Sequence, residues 1–418
     1  MPDSPIVITG LGCVTPLGAN VAETWAGCLA GANAIAPITR FDAHTYPCTF
    51  AAEIRNYAAP RIEGRFARWC DDKSRFALAA AREALADAGL LDARPDPHRF
   101  GVSVGAVSLK QTIGDIAARL QQVSAEGPER AYRATDPKDF VVMSASYPAT
   151  MLAGVFDARG PNLTTSTACT SSAQSVADAL RILRRGDADV MLAGGTDRLV
   201  EELMVMGFGL LGALSTRNDD PAAACRPFDR TRDGFVLGEG AGFLVLETLE
   251  HAQRRGARIR AELLGYGCSA NAWRITDSPP DGRGARQSMQ AALLDAELRA
   301  EQIDYINAHG TSTQQNDASE TAGIRGVFGD GAARLPVSST KSMMGHLVAA
   351  CAAVELIVCV KAIEDGMLPP TINYEFPDPE CDLDCVPNVA RKAKVDIAMS
   401  NAFGFGGSNG TLIVGRPR

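Results

Sequence analysis

The sequence predicts an α/β protein, on three observations: strand-like and helix-like patterns alternate from the first residues onward, one segment reads as a complete β-α-β unit, and the second half resumes the alternation. Ile6-Val-Ile-Thr-Gly-Leu-Gly is a short apolar run closed by glycines, the pattern of a buried strand entering a loop. Lys73–Gly89 sets Phe76, Leu78, Ala79, Ala80, Leu85 and Ala88 along an amphipathic helix that Gly89 stops. Leu163–Ala168 is β-prone, Ser171–Arg185 carries Val176, Leu180 and Leu183 on one helical face, Gly186 ends it, and Val190-Met-Leu-Ala-Gly-Gly is the next strand. Phe243-Leu-Val-Leu-Glu and Ile259–Leu264 read as strands on either side of a charged helix, Glu247–Arg255. The pattern then gives helix Ala285–Ala296, strand Ile303–Ala308, helix Asp317–Phe328, strand Leu335–Ser339, helix Gly345–Glu364 and a terminal strand pair around Asp396–Asn401 and Thr411–Val414. Arg254-Arg-Gly-Ala divides the chain into two α/β halves, 1–257 and 258–418, between which no duplication is legible as identical residues.

Of 418 residues, 46% are hydrophobic and 22% charged, the balance of an ordinary globular protein with a large core. The net charge of −8 argues against a nucleic-acid binder. Leu347–Val354 and Leu356–Val360 are the longest apolar stretches; Glu355 splits them, and neither approaches the roughly 18 residues of a membrane span. The amino-terminal residues do not form a secretory signal, so the expected location is the cytoplasm. Eleven cysteines, scattered and without a Cys-x-x-Cys pair, do not form a disulfide framework.

Cys169 stands where a strand meets a helix, so free N–H groups and the positive helix end would favour its thiolate, although free cysteines are ordinarily buried and inert. His309 closes a strand ahead of the polar loop Gly310-Thr-Ser-Thr-Gln-Gln-Asn, and His346 follows Gly345 at the head of an apolar helix. Either histidine alone could be structural; two of them with a poised cysteine suit acyl chemistry. A metal is not expected, because neither histidine has a paired ligand at metal-binding spacing and Cys381-x-x-x-Cys385 has no histidine nearby. Lys341 either projects into the same cavity or is a solvated loop residue, and Glu320 fits a capping box, Asp317-Ala-Ser-Glu320, as well as a site role. Phe403-Gly-Phe-Gly-Gly-Ser-Asn-Gly410 could bring backbone N–H groups close to a ligand. Gly207-Phe-Gly-Leu-Leu-Gly212 fits a dinucleotide pattern formally, but no helix follows to receive a pyrophosphate, so no nucleotide is expected.

Thr165-Ser-Thr-Ala-Cys-Thr-Ser-Ser, Asn307-Ala-His-Gly-Thr-Ser-Thr, Ser338-Ser-Thr-Lys-Ser-Met-Met-Gly-His and Ser400-Asn-Ala-Phe-Gly-Phe-Gly-Gly-Ser-Asn-Gly together resemble the β-ketoacyl-acyl carrier protein synthases of Cys-His-His type. Arg226-Pro-Phe-Asp-Arg-Thr-Arg-Asp-Gly-Phe-Val-Leu-Gly-Glu-Gly-Ala-Gly and Leu214-Ser-Thr-Arg-Asn extend the resemblance over the whole chain. It implies a thiolase-like fold of two related α/β halves in alternating helix and sheet layers. It also implies that Cys169 accepts an acyl chain from acyl carrier protein, with the N–H groups of Cys169 and Phe405 as oxyanion hole. His309 and His346 would support decarboxylation of a malonyl thioester, Lys341 paired with Glu320 would hold His346, Thr311 and Thr313 would contact the phosphopantetheine arm, and Phe405 and Phe208 would gate the site. No metal, nucleotide or cofactor of its own is implied beyond the carrier's phosphopantetheine.

The expected partners are acyl carrier protein and a second subunit, either a copy of this chain or a chain-length-factor-like homologue. Arg61, Arg65 and Arg68 recur at helical spacing and are the candidate carrier-docking residues. Gln314-Gln-Asn-Asp, Arg274 in place of an expected histidine, and Pro377-Asp-Pro-Glu-Cys-Asp-Leu-Asp depart from the fatty-acid pattern and point to a type II polyketide pathway, such as one making polyenes. Elongation in fatty-acid synthesis is the alternative. A non-catalytic chain-length partner is disfavoured because Cys169 is present, and a cysteine hydrolase because it leaves the second histidine, Lys341 and the Gly-Phe-Gly-Gly loop without a role.

Overall fold

The computed structural model describes residues 5–55, 57–60, 62, 66, 70–107, 113–134, 141 and 144–417. Among the described residues ten strands form one sheet: β1 (Ile6–Val14), β2 (Phe100–Gly105), β3 (Asn162–Thr165), β4 (Val190–Arg198), β5 (Glu239–Thr248), β6 (Ala261–Ala270), β7 (Tyr305–Asn307), β8 (Val337–Ser338), β9 (Ile397–Phe403) and β10 (Ser408–Gly415). Their order is β8-β7-β9-β10-β6-β1-β5-β4-β2-β3. Counted outward from the middle, each half has its first strand, then its fifth, fourth, second and third. The first two pairings are antiparallel and the last two parallel in both halves. The halves meet where β1 pairs with β6, Val7 opposite Glu262 and Ile8 opposite Ala261. The duplication that identical residues hide is therefore explicit in the topology.

Helices α1 (Asp72–Asp87), α2 (Ser171–Arg185), α3 (Arg283–Asp295), α4 (Gln314–Phe328) and α5 (Cys351–Asp365) complete the layers. α1 covers the outer face of the first half-sheet, α3 covers that of the second with α4 against it, and α2 and α5 lie against each other between the two. Both outer helices press on glycines. A Cβ at Gly12 in β1 would fall 2.0 Å from the Ala80 carbonyl oxygen, and one at Gly267 in β6 would fall 2.0 Å from that of Ser288, so only glycine permits these contacts.

The two central helices begin and end alike. Before α2, Ala168 has φ +50° and a 3₁₀ turn, Ala168–Thr170, leads in; before α5, Val348 has φ +46° and the turn is Val348–Ala350. Gly186 and Gly366 end them at φ +77° and +63°, the left-handed C-terminal cap that glycine adopts without a Cβ clash. These pairs share one offset in residue number, under which Cys169 corresponds to Ala349. The fold thus builds two similar elbows, the first carrying the Cys169 thiol where the second has the Ala349 methyl.

Several boundaries differ from expectation. The single helix Gly345–Glu364 is instead a short helix Lys341–Met344, an extended His346, and α5. α4 starts at Gln314, capped by Thr313, whose hydroxyl accepts from the Asn316 N–H, so Glu320 lies inside the helix and forms no capping box. Phe403 and Ser408–Gly410 belong to a hairpin, Phe403 opposite Asn409, with residues 404–407 as its turn. Gly207 and Gly209 fall inside a helix, Glu202–Leu210. No described helix is long and apolar enough to cross a membrane.

Candidate active site

Cys169 sits in the 3₁₀ turn that feeds α2, His309 follows β7, and His346 follows the short helix after β8; the topology brings these three chain ends to one place. Their ligand atoms lie within 4.8 Å of one another. His346 Nε2 is 3.1 Å from Cys169 Sγ, and the two imidazoles meet edge to face with centroids 5.2 Å apart. Both histidines are 2% exposed and Cys169 is 9% exposed. They line a cavity of about 400 Å³ together with Phe208, Thr311, Thr313, Phe403 and Phe405.

Cys169 was expected to be a stabilised thiolate, and the structure reverses this. Burial pushes its thiol up to about 11, although the Lys341 ammonium and the backbone N–H groups of Phe405 and Cys169 itself pull it down. Both imidazoles are held well below their ordinary range, first by burial and then by the charge of Lys341. The resting site is a neutral thiol beside two neutral imidazoles.

The Val348 N–H donates to His346 Nδ1 at 3.2 Å, which leaves the proton of this neutral ring on Nε2, pointing toward Cys169. His346 is therefore a donor at its reactive edge. A metal held by the same three residues would need the Nε2 lone pair and would move the proton to Nδ1, against the Val348 N–H, so the arrangement suits hydrogen bonding and not ligation. The tautomer cannot be read from sequence, because it is fixed by a backbone group on the second elbow.

Lys341 and Glu320 both belong to the site but do not pair as the resemblance implied. The ammonium of Lys341 is ion-paired with Glu355, both buried. Glu320 accepts from the backbone N–H groups of His309 (3.0 Å) and Gly310 (2.8 Å) and from Asn401 (3.1 Å), and burial pushes it up to about 7 despite these bonds. Glu320 thus fixes the His309 backbone, while Glu355 holds the cation. A signal for Glu355 existed: it is the one carboxylate between two apolar runs, and such a position inside a buried helix calls for a cationic partner.

Phe405 and Phe208 approach with centroids 6.2 Å apart, and Phe235, which the sequence reading did not single out, stacks edge-on against both Phe208 (5.4 Å) and His346 (5.5 Å). A Cβ on Gly404 would sit 3.3 Å from the Cys169 nitrogen, a tight approach that keeps the hairpin turn close to the elbow. The hydroxyls of Thr311 and Thr313 are 3.0 Å apart on the cavity wall. Of the residues that suggested a polyketide pathway, Arg274 is exposed and paired with Asp277 (3.3 Å), and Asp378 is paired with Arg232, whereas Gln314, Gln315 and Asn316 do reach the cavity. Arg61, Arg65 and Arg68 lie outside the described residues.

Residues 3–252 match the β-ketoacyl synthase N-terminal domain and residues 260–375 the C-terminal domain. The chain is 44% identical, over 98% of each sequence, to "3-oxoacyl-[acyl-carrier-protein] synthase 2" of Coxiella burnetii. Among solved structures it superposes on a β-ketoacyl synthase from Burkholderia phymatum with a TM-score of 0.91 (36% identity, 100% of each chain), and on the ishigamide ketosynthase/chain length factor with a TM-score of 0.89 (38% identity, 99% of this chain and 100% of that one). The chain belongs to the β-ketoacyl synthase family, with its thiolase-like fold and its carbon-carbon bond-forming acyl transfer.

Proposed function

We propose that this protein is an elongating β-ketoacyl-acyl carrier protein synthase of fatty-acid synthesis. The observation that carries the reading is the contact of Cys169 with His346 Nε2 beside His309, in a chain 44% identical over nearly its full length to a 3-oxoacyl-[acyl-carrier-protein] synthase 2. That likeness favours the fatty-acid alternative over the polyketide pathway that Gln314, Arg274 and the segment from Pro377 suggested.

In the first half-reaction the Cys169 thiol attacks an acyl thioester on the carrier. A new C–S bond forms, the oxyanion is held by the N–H groups of Cys169 and Phe405, and the carrier thiol departs with the proton that Cys169 gives up. In the second, a malonyl thioester binds with its arm along Thr311 and Thr313 and its carbonyl oxygen toward His309 and His346. The bond to the carboxylate breaks, CO₂ leaves, and the electron pair becomes an enolate whose oxygen accepts from the Nε2 proton of His346. The enolate carbon attacks the acyl group on Cys169, the C–S bond breaks, and the departing sulfur takes up a proton from solvent, the one proton the overall condensation consumes. Burial, reinforced by the charge of Lys341 that Glu355 holds in place, keeps both imidazoles neutral. A hydrolase would need His346 as a base toward Cys169, and its Nε2 proton opposes that. The partner is acyl carrier protein, which brings the phosphopantetheine, and the second subunit is another copy of this chain.

A polyketide role keeps support from two solved structures, the ishigamide ketosynthase/chain length factor at 38% identity and the AntDE:AntF type II PKS ketosynthase complex at 33%. Elongation assays with carrier-borne chains of equal length separate the two. Faster extension of saturated chains, together with restored growth in a strain lacking its fatty-acid elongation synthase, supports our reading; preference for polyenoyl chains, and extension only with a cysteine-less partner subunit, would overturn it.

A further inference from the structure

We propose that Arg232 and Ser312 are positioning residues that set the two threonines on the wall of the substrate cavity, an inference that rests on the reading of that wall as the site for a carrier-borne arm. Ser312 lies between Thr311 and Thr313 with φ +71°, a left-handed conformation that a serine adopts only when its surroundings enforce it. The surroundings are complete. Its Oγ accepts from the Arg226 N–H (2.9 Å), its N–H is shared between both oxygens of Asp317 (3.2 Å each), and its carbonyl accepts from the Gly234 N–H (3.0 Å). The residue is fully buried, so none of these bonds is exchanged for water.

Arg232 clamps the next step of the loop. Its Nε donates to the Thr313 carbonyl (3.1 Å) and its Nη2 to that of Gln314 (3.1 Å), while Nη1 donates to the Asp229 carbonyl (2.9 Å) and to the carboxylate of Asp378 (2.5 Å). The guanidinium is 1% exposed, and Asp317 and Asp378 hold it protonated against the cost of burial. Asp229 in turn accepts from the N–H groups of Glu375 and Phe376 (2.7 Å each). Three segments, 226–234, 310–317 and 375–378, thus converge on the backbone around Thr313. A network of this kind could serve stability alone. What points to the cavity is that the one strained non-glycine residue of the loop is flanked on both sides by threonines whose hydroxyls line the cavity that also holds Cys169.

The test uses the full-length protein with malonyl and acyl carrier proteins. Ser312→Gly keeps the fold, since glycine accepts the positive φ without strain, but frees the loop and removes the Oγ bond. Arg232→Gln removes the charged fork. We expect each to raise the KM for malonyl carrier protein about tenfold, the scale of one or two misplaced hydrogen bonds, with kcat changed less than threefold. Alkylation of Cys169 by iodoacetamide, which needs no arm, should keep its wild-type rate. Ser312→Gly with an unchanged KM would overturn the proposal even if Arg232→Gln fails to fold, and so would a uniform loss of kcat and alkylation in both variants. A wild-type protein that takes no acyl group from carrier protein would instead defeat the reading of function on which the proposal rests.

Discussion

At the scale of single residues, the chemistry turns on which atoms hold protons at rest. Burial keeps Cys169 as a thiol, raised to about 11, and keeps His309 and His346 neutral. A cysteine-histidine ion pair, the alternative arrangement of a reactive thiol, would give a thiolate from weakly acidic pH upward. The two differ in their alkylation profiles. Followed by mass on the Cys169 peptide, the iodoacetamide rate should rise steadily from pH 6 to 10, about tenfold per pH unit, because the thiolate fraction does so below its pKa. A plateau reached by pH 7 would mean an ion pair and contradict the neutral site.

At the scale of elements, buried carboxylates tie strands and helices together. Glu247 on β5 shows the sign of such a tie: burial alone would raise it, but hydrogen bonds from Arg255, His251 and Thr9 outweigh burial and bring it down to about 2. A carboxylate depressed in the folded state stabilises it fully above its ordinary value of 4.5 and loses that contribution as pH falls toward 2. We predict that Glu247→Gln lowers the stability at pH 7 by about 3 kcal/mol in urea unfolding, and that the difference shrinks through this window. An equal loss at pH 7 and pH 2.5 would mean that packing, and not charge, is what the substitution removes.

Elements were also what the sequence revealed best. The β-α-β unit around Cys169 was legible because its helix has a clean apolar face and ends at Gly186 with Arg184 and Arg185 in its last turn. The region around His346 was not, because Gly345-His-Leu-Val-Ala-Ala is apolar enough to read as helix, and two tertiary bonds, from the His346 N–H to the Val236 carbonyl (2.7 Å) and from the Gly238 N–H to the His346 carbonyl (2.9 Å), hold it extended. Cys169, His309 and His346 could be named from their motifs; the pairing of Lys341 with Glu355 instead of Glu320 could not, since it depends on how α5 crosses between the half-sheets.

For the whole molecule, the repeated strand order gives two elbows, of which the first supplies the nucleophile and the second, through the Val348 N–H, fixes the proton of His346. The account therefore separates loading, which needs Cys169 and its oxyanion donors, from decarboxylation, which needs the imidazole donors. The most direct test measures both on the same variants: intact mass after incubation with acyl carrier protein, and CO₂ release from malonyl carrier protein. His309→Ala and His346→Ala should each still gain one acyl adduct, absent in Cys169→Ala, while releasing CO₂ about 10²–10³ more slowly than the wild type. Undiminished CO₂ release from both histidine variants, or an adduct retained in Cys169→Ala, would contradict the account.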